Sequence, residues 1–199
     1  MDDQEPERPD WVHLPTGIEV HSLWNSPHDS ALLSCESDLY SRTVTLRFIT
    51  AHLVPNNPDI RFDVVLSEVT SARAVIQVRW PGEYVRPSGI SREEEEPLIR
   101  EYWSKWREQS LGWAEFEAAL HSNTLDIGDA SLAIGLNGRT MRIGGMLDGD
   151  TFDDQYCEAC IAFKDLSIRS SENVALSLEE FDQLGVTFWE EFAKRASKE

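Results

Sequence analysis

Between Thr43 and Ile49 the chain alternates strictly, with Val44, Leu46 and Phe48 on one face and Thr45 and Arg47 on the other. A period of two marks a strand with one buried face and one wet face. The constraint tightens because the surroundings of this strand return later in the chain. Tyr40–Leu46 (YSRTVTL) is echoed by Asn137–Ile143 (NGRTMRI), and Val64–Val69 (VVLSEV) by Ile161–Leu166 (IAFKDL), both at an offset of 97 residues. Asp29–Leu32 (DSAL) is echoed by Asp129–Leu132 (DASL) at an offset of 100. An offset shared by separated strands is harder to reach by chance than one match. It predicts a single β-rich unit made twice.

Each unit reads as an antiparallel meander that ends in helix. In the first, strands are predicted over Ala31–Glu36, Thr43–Ile49, Ile60–Val69 and Ala74–Trp80, with a turn at Ser37–Ser41 and a loop at Pro55–Pro58. A helix is predicted from Pro97, because proline suits the first helical position, and Leu98, Ile99, Tyr102, Trp103 and Trp106 share one face. The run Glu93–Glu96 would then precede that helix, where the macrodipole favours negative charge. Gly112 interrupts the pattern, and Trp113, Phe116 and Leu120 mark a further helical stretch. In the second unit Asn137-Gly138 signals a tight hairpin. Ser177 and Glu180 form a capping box ahead of a helix whose Phe181, Leu184, Phe188, Trp189 and Phe192 line one face as a core stripe.

The predicted fold class is therefore α+β, an antiparallel β meander plus helix, duplicated in tandem. Residues 1–15 are expected to be a disordered leader, 16–120 the first unit and 121–199 the second, the two sharing one core. The pattern leaves open whether the two sheets join into one or pack face to face.

The formal net charge is −18, and both halves are acidic. Such a surface repels phosphate backbones and anionic membranes, which argues against nucleic-acid or membrane partners and for a basic protein partner. Exposed strand edges would allow a homodimer. The opening MDDQEPERPD lacks the basic start and apolar run of a signal peptide, and no segment has the apolar length of a membrane-spanning helix. Three cysteines, an odd number, do not make a disulfide framework. A reducing cytoplasm is the expected location.

Chemistry-bearing motifs are sparse. The phosphate-loop, nucleophile-elbow and zinc-protease signatures do not occur. Cys157-Glu158-Ala159-Cys160 is a C-x-x-C, but it opens a predicted strand, where residues three apart face opposite ways, and no second pair completes a zinc site. Asp148-Gly149-Asp150-Thr151-Phe152-Asp153-Asp154 is rich in carboxylates, yet Phe152 occupies a position where a calcium loop needs an oxygen ligand. His28-Asp29 lies on a segment read as extended, where neighbours point apart and cannot act as one acid/base pair. No catalytic, metal or cofactor-binding residue is assigned and no cofactor is expected. The candidate contacts to a basic partner are Asp148, Asp150, Asp153 and Asp154 in the acidic loop, and Glu93, Glu94, Glu95 and Glu96.

Trp24-Asn25-Ser26-Pro27-His28-Asp29-Ser30-Ala31-Leu32-Leu33-Ser34, followed by the Arg42–Phe48 strand, resembles the opening of immunity proteins of bacterial polymorphic toxin systems. These often begin with an aromatic, a proline and a His-Asp pair before two strands. The resemblance spans about 30 residues. It implies an acidic cytoplasmic binder that neutralises a toxin without catalysis, and it carries over no functional residue. Two other readings stand beside it. One is a structural or regulatory homo-oligomeric module. The other is a hydrolase whose site would be assembled from distant residues.

Overall fold

A computed structural model describes residues 19–22, 26–50, 60–78, 85–103, 107–135, 138–148 and 155–196. The strands are β1 (Glu19–Ser22), β2 (Ala31–Asp38), β3 (Thr43–Ile49), β4 (Arg61–Ser67), β5 (Ser71–Val78), β6 (Arg107–Leu111), β7 (Thr124–Gly135), β8 (Gly138–Asp148), β9 (Gln155–Phe163), β10 (Asp165–Ser170) and β11 (Ala175–Leu176). The helices are α1 (Arg92–Trp103), between β5 and β6, α2 (Trp113–Leu120), after β6, and α3 (Leu178–Ala196), after β11. The α+β class follows from this inventory.

All strand pairs are antiparallel, and they answer the question the sequence left open. The pairing runs β11-β10-β4-β3-β2-β7-β8-β9-β5-β6, with β1 on β7. β4 passes into β5 through Glu68, Val69 and Thr70 alone, and β9 passes into β10 through Lys164 alone. These two long, bent strands lie against each other throughout. Phe62–Ser67 pairs with Asp165–Ser170, and Ser71–Gln77 pairs with Tyr156–Ala162. The corner between is stitched by Lys164 N–H to Ser67 O at 3.1 Å and Thr70 N–H to Ala162 O at 2.8 Å. β2, β3, β4–β5, β9–β10, β8 and β7 thus form a closed ring, a barrel whose corners are strand bends. Glu68 takes a left-handed φ of 51° at the bend, and its carboxylate meets Lys164 at 2.6 Å.

Alternation places one face of every ring strand inside. Leu32, Cys35, Val44, Leu46, Phe48, Phe62, Val64 and Leu66 from one wall meet Ala74, Ile76, Leu132, Met141, Ile143, Cys157, Ala159 and Ile161 from the other in one contiguous core. Phe62, Phe116 and Phe163 are fully buried, each contributing about 2 to 3 kcal/mol of transfer free energy. α2 lies on β2 and β5, and α3 on β10 and β11. Each inserts one phenylalanine four residues after its cap, Phe116 and Phe181.

The halves use one succession of pairings. Each has a three-strand meander whose third strand is bent, a short flanking strand and a capped helix. An extra residue sits at Leu33 in β2 and at Gly128 in β7. Aligning these bulges relates β2 to β7 by 95 residues, where the Asp29/Asp129 echo suggests 100.

Four element readings differ in the structure. α1 begins at Arg92, so Glu93–Glu95 lie inside its first turn and Pro97 inside the helix. The cause is Ser91, whose hydroxyl accepts from Glu94 N–H at 3.3 Å while its own N–H donates to Glu94 at 2.9 Å. Leu98, on the apolar face read for this helix, is exposed, and so is Phe192, read as part of the core stripe of α3, because the helix runs on past the elements it packs against. Residues 107–111 form strand β6 against β5, because the edge of β5 offers them a ladder. The expected leader and Trp106 lie outside the described residues.

Candidate functional site

The outer face of β7, β8 and β9 gathers polar side chains. Glu158 stands on β9 between inward-facing Cys157 and Ala159, level with Gly144 on β8 and Val75 on β5. Alternation turns it outward, yet its side chain is only 5% exposed. Arg142 reaches it diagonally from β8, donating from Nη2 to Glu158 Oε2 at 2.7 Å. Its Nη1 lies 3.3 Å from Asp129 Oδ2 on β7. The hydrogen bond to Glu158 raises the pKa of the guanidinium above its ordinary value. A Cβ at position 144 would collide with the hydroxyl of Tyr156, so glycine lets that ring lie across β8. One cation against two carboxylates leaves the cluster with net negative charge.

The same face continues along β7 and β8. Asp126 stands opposite Met146, and Asp148 ends β8 opposite Thr124. Burial first, and the neighbouring charge of Asp148 second, push the Asp126 carboxyl above the ordinary aspartate range. Met146 is 39% exposed among these acids. The first wall carries a parallel feature: Arg47 donates to both oxygens of Asp63, at 2.8 and 3.1 Å, between β3 and β4.

The candidate contact residues stand in different settings. Asp148 is exposed at the rim of this face, while Asp150, Asp153 and Asp154 lie outside the described residues. On α1, Glu93 and Glu96 are exposed. Glu94 is engaged in the cap, where hydrogen bonds from Ser91 hold its carboxyl below the usual range. Glu95 is buried against Arg86 at 3.1 Å, so it does not face a partner.

Cys157 points into the core beside Ile76 and Cys160 points outward, as a three-residue spacing on a strand requires. Burial pushes the two thiols up, to about 12 and about 11. His28 and Asp29 depart from the reading: they lie in a turn, Asp29 has a φ of 60°, and His28 Nε2 comes within 3.5 Å of its carboxylate. The imidazole packs on Trp189 with ring centres 5.5 Å apart. A cavity of about 20 Å³ beneath α3 is lined by apolar side chains, among them Phe48, Val64, Met141, Ile143, Leu178 and Phe181. Among the described residues no His, Cys, Asp or Glu group is placed to hold a metal ion, and no helix is long and apolar enough to cross a membrane.

Comparison with protein-family models, with curated proteins and with solved structures finds no match to this chain.

Asp126, Asp129, Arg142 and Glu158 escaped the sequence reading. A signal for two of them existed. Arg47 and Asp63 are 16 residues apart, as are Arg142 and Glu158, and the two pairs are related by the same 95 residues as the bulges.

Proposed function

We propose that this chain is a non-catalytic acidic protein-binding module that takes a basic partner on the outer face of β7, β8 and β9, as an immunity-like inhibitor of a basic toxin would. The observation that supports the reading is the placement of Asp126, Asp129 and Asp148 around exposed Met146. Carboxylates round an apolar centre suit a cationic surface with its own apolar spot. Burial, and then the charge of Asp148, raise the Asp126 carboxyl, and a partner cation would offset the part due to Asp148. The repeated pairings, the matched bulges and the two Arg–carboxylate pairs support a further reading, that the halves are copies of one unit.

The test is affinity capture on the immobilised full chain from bacterial cytoplasm at low ionic strength. The reading expects a basic protein whose retention falls steeply between about 0.05 and 0.5 M salt. Asp126→Lys with Asp148→Lys should release it, while Glu93→Lys with Glu96→Lys should not. Retention unaffected by salt, or no basic protein retained at all, contradicts the proposal. Self-association is a second reading, favoured by the exposed end of α3.

A further inference from the structure

α2 completes its packing in eight residues, whereas α3, whose N3 glutamate reaches back to the cap N–H as in α2 and which inserts the equivalent phenylalanine, runs for 19. Phe188 still lies against the core and Trp189 against His28, but beyond Trp189 the added length does not pack on the barrel. Every residue from Glu190 to Ala196 is exposed. The apolar stripe continues regardless: Phe188 and Phe192 are one turn apart with stacked rings 6.2 Å between centres, and Trp189 meets Phe192 edge-on at 5.8 Å. Phe192 is 52% exposed.

We propose that this end of α3 is the contact surface of a homodimer, pairing antiparallel with the same segment of a second copy. Charge selects that occupant. In a chain of net charge −18, residues 188–196 carry two acids and two bases and are neutral. Helical spacing puts Glu190 and Lys194 on the far side, where they already form an ion pair at 3.7 Å. Glu191 and Arg195 instead lie on one flank of the stripe, either side of residue 193. Two such helices, antiparallel about a two-fold axis near that residue, bring Phe192 against Phe192. Each Glu191 then falls opposite Arg195 of the other copy, twice over. A single pair of helix ends covers less than the roughly 1,200 Å² of a standard interface, so the dimer is weak and concentration-dependent.

Sedimentation velocity on the full chain, from about 1 to 200 µM, reads this directly. The proposal expects a monomer–dimer equilibrium weakened at least about tenfold by Phe192→Ser, a substitution at an exposed position that leaves the circular dichroism unchanged. Glu191→Arg alone should weaken the dimer and Arg195→Glu alone likewise, while the two together restore it. A monomer across the whole range overturns the proposal. So does a dimer indifferent to Phe192→Ser, or a double exchange no tighter than either single one.

Discussion

A carboxylate buried on the outside of a sheet needs a cation, and Glu158 has one in Arg142. Removing Arg142 strands Glu158, whereas removing Glu158 leaves Arg142 with Asp129 alone. Glu158→Ala should cost about 2 to 3 kcal/mol in urea unfolding, at the lower end because Arg142 keeps some solvent. Arg142→Met combined with Glu158→Leu should cost distinctly less, and equal costs would show that the charges are not coupled. Asp126 runs the other way. Its folded pKa is raised, so folding favours the protonated form, and that contribution is present below pH 3.8 and lost as pH rises through the folded pKa. Asp126→Asn should therefore raise the melting temperature at pH 7, with the gain vanishing below pH 3.8. These residues were hard to read because alternation reports which way a side chain points and not what lies over it. Glu158 sits outward in pattern and buried in fact.

At the scale of elements, local signals served where they were strongest. The Thr43–Ile49 strand carries the bounds its alternation implies. The Ser177 cap closes as its spacing requires, with Ser177 N–H on Glu180 at 2.7 Å and Glu180 N–H on Ser177 Oγ at 3.1 Å. Ser177→Ala should cost about 1 kcal/mol of global stability, measured by chemical denaturation, and a cost near zero would mean the first turn of α3 frays freely. Elsewhere two signals competed. At α1 a capping serine outweighed a proline six residues later, because a cap satisfies backbone donors while Pro97 forfeits only one bond inside the helix. Residues 107–111 hold no strong strand pattern; the open edge of β5 makes them a strand.

At the scale of the molecule the decisive interactions join residues about a hundred positions apart. The echoes at 97 residues point to two similar meanders, but no local pattern says that the bent strand of one half lies along the bent strand of the other. That pairing turns two open sheets into a ring with a common interior. It also gives β9 a neighbour on each side, with Glu158 on its outer face between them. Stability should then be shared, with both halves unfolding in one transition.

Closure of the ring is most directly tested by interstrand nuclear Overhauser effects in the full chain. The account predicts cross-peaks between Val65 and Ser167 on one side of the corner and between Ala74 and Ala159 on the other, within one monomer. Cross-peaks confined to strands of the same half, with none linking β4–β5 to β9–β10, would contradict it.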